Sequence, residues 1–211
     1  MISVVDELMA MLDRWTFETR THSCRVTLLS LQIGESLGLA PKELFRLGAG
    51  SLLHDIGKIR IPQEILMKPG PLSPEEWRVM KMHPQLGCEI LERFPPLRVA
   101  GDLVVQHQER WDGSGYPNGL KKEDICLNAR IFAVADSFDA MTNQRSYNTV
   151  RQIDDAILEL LHESGSLYDP HVVRSFISFA HPPDDNEIMD NMERFLEEVF
   201  PPERFIQTFL S

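Results

Sequence analysis

Apolar residues recur at helical spacing along nearly the whole chain, and no alternation of apolar and polar positions lasts more than a few residues. That pattern restricts the fold to the all-α class. The periodicity predicts helices over roughly 3–14, 17–38, 42–55, 74–82, 84–93, 97–108, 128–142, 150–162, 170–180 and 186–199. Ser73-Pro74-Glu75-Glu76 joins an N-cap, a proline in the first turn and a capping-box glutamate, and Asp169-Pro170 and Thr149 with Gln152 repeat parts of that logic. Two segments resist a helical reading. Ile61 to Leu72 carries Pro62, Pro69, Gly70 and Pro71, and Trp111 to Leu120 carries Gly113, Gly115, Pro117 and Gly119. Long loops inside a helical domain commonly border a site.

At 211 residues the chain falls between one and two domains on length, and it reads as one domain, 1–181, with a C-terminal helical extension, 182–211. The boundary is the change to Asp184-Asp185-Asn186-Glu187 after His181-Pro182-Pro183. The extension places Ile188, Met192, Phe195, Leu196 and Val199 on one stripe, which either packs back on the bundle or forms a homodimer. A net charge of −11 argues against a broad grip on duplex nucleic acid or an anionic membrane. A phosphate-bearing substrate must therefore be held locally, by metal ions and a few basic side chains. Cys24, Cys88 and Cys126 are odd in number and far apart, and read as buried thiols in a reducing compartment. The start of the chain has neither a basic region nor a small-residue cleavage site, and no apolar run approaches the ~18 residues of a membrane span, so a cytoplasmic protein is expected.

The chemistry concentrates in Leu52-Leu53-His54-Asp55-Ile56-Gly57-Lys58, which closes a helix rich in small residues (Ala49, Gly50, Ser51). Neighbouring helical positions project about 100° apart, so His54 and Asp55 can both reach a point beside the helix, and imidazole with carboxylate suits a divalent metal. A lone His-Asp pair also reads as a cap or a solvated pair. Glu18 and His22, four residues apart, share a helix face, where the plain reading is a stabilising pair. His83 precedes Pro84 at a helix junction, and His107 leads into the glycine-rich loop. Asp136 stands in the apolar run Ile131-Phe132-Ala133-Val134-Ala135-Asp136-Ser137-Phe138, where burying a carboxylate demands a cation or a metal.

Taken in order, these residues resemble an HD-GYP domain, a branch of the HD phosphohydrolase superfamily. The likeness runs from about residue 16 to residue 178 and is carried by Glu18 and His22, His54-Asp55 with Gly57-Lys58, and His83-Pro84. It continues through His107-Gln108-Glu109-Arg110-Trp111-Asp112-Gly113-Ser114-Gly115-Tyr116-Pro117, Asp136 to Thr142, and Arg145-Ser146-Tyr147. The resemblance implies an HD-type bundle holding two or three iron or manganese ions, with cyclic di-GMP as substrate. By analogy His22, His54, Asp55 and Asp136 hold one ion, Asp55 bridges to a second held by His83 and His107, and Glu18 joins a third where one is bound. Asp55 and Lys58 carry the catalytic role, and Lys58, Asp139 and Arg145 contact substrate. The Gly115-Tyr116-Pro117 loop borders the substrate and offers a surface to diguanylate-cyclase (GGDEF) domains. The imidazole and carboxylate mixture independently suits iron, manganese or zinc better than magnesium or calcium.

The chain departs from the family in two places. Gln108 follows His107 where the family has a second histidine, and Asn148 follows Tyr147 where an arginine or lysine is common. An amide oxygen is a poor transition-metal ligand beside imidazole. Three functions are therefore in competition: a metal-dependent phosphodiesterase opening cyclic di-GMP to pGpG or GMP, a catalytically weakened cyclic di-GMP-binding or interaction module, and an HD hydrolase for another phosphoester.

Overall fold

The computed structural model describes residues 4–15, 20–143 and 152–178. Among them the chain forms helices α1 (Val4–Trp15), α2 (Arg20–Ser36), α3 (Pro41–Leu53), α4 (Gln63–Leu66) and α5 (Pro74–Met80). These are followed by α6 (His83–Leu91), α7 (Gly101–Gln106), α8 (Leu127–Thr142), α9 (Ile153–His162) and α10 (Pro170–Ile177). The described residues contain no strand, in accord with the period of the apolar positions. None of these helices is long and apolar enough to cross a membrane. The 182–211 extension, with its apolar stripe, lies outside the described residues.

The apolar positions divide into two clusters that share helices α2, α3 and α7. In one, Val5, Leu8 and Leu12 of α1 pack on Leu52 and Leu53 of α3, Leu91 of α6 and Leu97. In the other, Val26 and Ile33 of α2 meet Ile131, Phe132 and Phe138 of α8, Leu160 of α9 and Phe176 of α10. Helices α2, α3 and α8 pack on one another and place the Leu53-to-Lys58 stretch near the junction. Two of the expected caps are present: Ser73 and Glu76 close a capping box on α5, and Asp169 accepts the His171 N–H at the start of α10, whereas α9 begins at Ile153 behind Gln152, whose side chain makes no capping bond, and Thr149 lies outside the described residues. All three cysteines are free thiols, Cys24 buried and the others half-buried.

Three boundaries differ from the periodicity reading. Helix α3 ends at Leu53 rather than at residue 55, because the chain turns at His54 and Asp55 into a tighter 3₁₀ turn, Ile56–Arg60. The expected helix 97–108 is a 3₁₀ turn, Pro95–Ala100, followed by α7, with prolines in its first turn favouring the tighter winding. The segment 61–72 is mostly loop but includes the single turn α4.

The 3₁₀ turn lies against α6 so closely that only glycine fits at position 57. A Cβ there would stand 2.0 Å from the His83 carbonyl oxygen and 2.5 Å from the Gly87 nitrogen. Both obstacles are backbone, so neither can rotate away. Gly57→Ala is expected to separate the turn from α6, costing about 3 kcal/mol or more. At ~2–4 °C per kcal/mol for a domain of this size, that is a fall in Tm of about 6–12 °C. A melting temperature within about 2 °C of the parent would contradict this packing.

Candidate active site

Helix ends set the orientation of three imidazoles. The last carbonyls of an α-helix have no partner within the helix. His54, His83 and His107 each use one. Their Nδ1 atoms lie 2.8 Å from the Ser51 carbonyl oxygen, 2.9 Å from that of Met80 and 2.8 Å from that of Val104. A carbonyl can only accept, so each Nδ1 carries the proton. In the neutral ring each Nε2 then presents a lone pair on the opposite side.

Those lone pairs converge on Asp55. His83 Nε2 and His107 Nε2 stand 3.1 Å apart, and Asp55 Oδ1 lies 3.3 Å from the first and 3.7 Å from the second. Burial pushes the His107 ring down to about 4, so it is neutral near pH 7. Imidazole lone pairs and a carboxylate oxygen facing one another repel unless something electrophilic lies between them. The ligand atoms of Asp55, His83 and His107 all fall within 4.8 Å of one another, and this donor set fits a divalent transition-metal ion. The other Asp55 oxygen turns the opposite way, 3.0 Å from His54 Nε2 and 2.7 Å from the Lys58 ammonium.

His22 and Asp136 flank this centre. His22 Nε2 lies 3.5 Å from Asp136 Oδ1, and the His22 and His54 rings meet edge to face at 5.7 Å. The His22, His54, Asp55, His83 and His107 residues are each 5% exposed or less. Phe132 backs the site, its ring centroid 4.7 Å from that of His54 and 5.8 Å from that of His107. Asp136 opens instead onto a cleft lined by Gln108, Arg110, Ser137 and Tyr168. Gln108 therefore shares the cleft with Asp136, in the turn that follows α7. Glu18 and Arg145 lie outside the described residues.

Asp139 differs from its expected place on the substrate. Its side chain is fully buried, accepting from His22 Nδ1 at 2.7 Å and from the Arg25 guanidinium. Burial pushes the carboxyl up, but the bonds from His22 and Arg25 more than offset that and hold it below the usual carboxylate range.

Glu109, quoted in the motif with no role of its own, proves to be structural. The Glu109 carboxylate is buried and accepts the backbone N–H groups of Asn118 at 2.7 Å and Leu120 at 3.1 Å. It therefore ties down the far end of the glycine-rich loop. Near the other end, Gly115 comes so close to the Glu109 backbone that a Cβ would lie 2.5 Å from Glu109 Cα. The loop so formed sets the Tyr116 ring edge-on to His83, centroids 6.3 Å apart, with the Lys81 ammonium 5.2 Å from the Tyr116 ring centre. An acid two residues after a site histidine and just before a glycine-rich loop was the available signal.

A profile of the HD domain family matches residues 6–172. The chain belongs to the HD domain family, and its ordered motifs place it in the HD-GYP branch. It is 42% identical over 195 residues to a cyclic di-GMP phosphodiesterase of Thermotoga maritima, an alignment covering 91% of this chain and 52% of that protein. It is 40% identical over 158 residues to the 3′3′-cGAMP-specific phosphodiesterase 2 of Vibrio cholerae, covering 74% of this chain and 30% of that one. The chain thus spans about half or less of the length of these relatives. Among solved structures, Bd1817 of Bdellovibrio bacteriovorus, an HDG"Y"P protein, superposes with a TM-score of 0.58 at 23% identity, over 74% of this chain and 50% of that one, a likeness of fold.

Removing the Glu109 carboxylate leaves two loop N–H groups without their acceptor. Glu109→Ala should cost about 2 kcal/mol or more and expose the Gly113-to-Leu120 loop to protease and to amide exchange. Exchange in that loop as slow as in the parent would contradict the role assigned to Glu109.

Proposed function

We propose that the chain is a metal-dependent phosphodiesterase that hydrolyses cyclic di-GMP to linear pGpG, GMP or both. The observation that carries this reading is the Asp55 carboxylate, with two imidazole nitrogens facing one oxygen and a third imidazole and an ammonium facing the other. The relatives named as cyclic di-GMP phosphodiesterases support the substrate.

In this reading His83, His107 and Asp55 hold one ion and His22, His54, Asp136 and Asp55 another, with Glu18 joining a third. Iron or manganese is the expected metal. Ions so held would activate water and neutralise charge developing at phosphorus. The protein's own part is positional. The helix-end carbonyls keep the imidazole lone pairs aimed inward, Lys58 sets a positive charge at the rim of the centre, and Asp136 and Arg110 line the cleft through which a diester could approach. Lys58 and Arg145 neutralise phosphate oxygens. The Gly115-Tyr116-Pro117 loop is the surface offered to GGDEF-domain proteins.

Two variants test the assignment, with the protein loaded anaerobically with Mn²⁺ or Fe²⁺ and product followed by chromatography. Asp55→Ala should abolish hydrolysis of cyclic di-GMP while leaving the helical content intact. Residual turnover within about threefold of the parent would end the assignment.

Gln108 decides between full activity and the weakened binding module. A neutral amide in place of an imidazole should leave one ion weakly held, since even indirect losses around a metal cost ~10–100-fold in affinity. Activity should then rise steeply with added metal, and Gln108→His should raise both occupancy and turnover. Unchanged occupancy and rate would instead make Gln108 a wall of the cleft and no substitute ligand.

A further inference from the structure

We propose that Arg25 is a positioning residue of the metal centre, acting through Asp139 on His22. The inference rests on the metal-dependent reading above and goes beyond its ligand set.

His22 differs from the other site histidines in what holds it. His54, His83 and His107 donate Nδ1–H to a carbonyl at the end of a helix. His22 lies near the start of α2, and its Nδ1 is bonded to a side chain, Asp139 Oδ2 at 2.7 Å. A side-chain acceptor must itself be held still if it is to aim an imidazole. Arg25 does that. It lies three residues beyond His22 on the same helix, and Asp139 lies three beyond Asp136 on α8, so the two pairs of spacings bring ligand and support to adjacent turns.

The geometry is two-pronged. Arg25 Nε donates to Asp139 Oδ1 at 2.5 Å and Nη2 to Oδ2 at 3.1 Å. Asn143 Nδ2 adds a donor to Oδ1 at 3.0 Å. With His22 on Oδ2, each carboxylate oxygen accepts from two donors, which fills the usual accepting capacity of an ionised carboxyl group. A fully buried carboxylate occupied in this way is a support and not a substrate contact. A forked guanidinium also fixes the plane of the carboxylate, which a lysine ammonium cannot do. The plane then sets the direction of the His22 ring, and its Nε2 points at the Asp136 side of the centre. A carboxylate that holds a metal-binding imidazole by its far nitrogen is a recurrent feature of metal sites, and its loss typically costs ~10–100-fold in metal affinity.

The test uses the full chain, stripped with a chelator and titrated with Mn²⁺ alone, with bound metal counted directly and helical content followed by circular dichroism. Arg25→Gln should weaken Mn²⁺ binding at one site by about 10–100-fold with helical content unchanged. Arg25→Lys should lie between it and the parent. In a His22→Ala background, Arg25→Gln should add no further loss, because the ligand it serves is already gone. Parental Mn²⁺ affinity in folded Arg25→Gln, or a full additional loss in the His22→Ala background, would overturn the proposal. If Arg25→Gln does not fold, Arg25→Lys carries the test, and parental affinity there overturns it equally. A higher KM for cyclic di-GMP in Asp139→Asn at unchanged Mn²⁺ affinity would return Asp139 to the substrate. A parent chain that takes up no Mn²⁺ would overturn the metal reading itself, an outcome distinct from loss of the Arg25 role alone.

Discussion

The unsatisfied carbonyls at helix ends are the constraint on which the site depends. Each of Ser51, Met80 and Val104 has a carbonyl that accepts from the histidine three residues on. A helix end that would otherwise need water is satisfied by an imidazole, and the imidazole is fixed in one tautomer by the same bond. The result is three Nε2 lone pairs facing inward around one carboxylate. Close approach of the backbones makes this possible. Gly50 lets α3 meet Leu103 of α7, where a Cβ would stand 2.8 Å from the Leu103 Cβ, and Gly57 lets the 3₁₀ turn lie on α6. Small residues and helix ends thus do together what the His-Asp dipeptide could not do by itself.

Charge is arranged locally against the charge of the whole. With a net charge of −11, the surface as a whole repels an anionic diester, and that repulsion is screened over about 8–10 Å at ordinary ionic strength. What matters to such a ligand is the local charge at the site. Lys58 pairs with Asp55 there, and Arg110 lines the cleft. Arg25 is a third cation, but its charge is spent inside, on a carboxylate that no solvent reaches. Lys58 and Arg25 therefore differ in the carboxylate they serve: Lys58 pairs with Asp55 among the site imidazoles, and Arg25 keeps the buried Asp139 carboxylate charged and still.

The sequence carried the helical class, the caps at Ser73 and Asp169, the irregular loop over 111–120 and the grouping of His54, Asp55, His83 and His107. What it concealed were relations between distant or non-periodic positions. The helix stops at Leu53, two residues before the end that the periodicity gives, and the contact of Gly57 with α6 shows why the chain tightens there. Asp139 was read as a substrate contact because its motif matched. Its real neighbours, His22 and Arg25, are more than a hundred residues earlier in the chain, and no local period encodes that pairing. Glu109 was concealed differently, since its partners are backbone N–H groups, which leave no trace in side-chain patterns.

Glu109 also explains how the glycine-rich loop and the metal centre come to be one unit. It follows His107 by two residues, so the short stretch that ends α7 with a site imidazole also supplies the carboxylate that anchors the loop. Tyr116 then returns to the centre by lying against His83, and its own N–H donates to the Gln108 carbonyl at 3.2 Å. The circuit runs from His107 to Glu109, through the loop to Tyr116, and back to His83, whose Nε2 faces that of His107. The Gly115-Tyr116-Pro117 loop is thus built on atoms that reach the His83 ring, and loop and site share one packed unit.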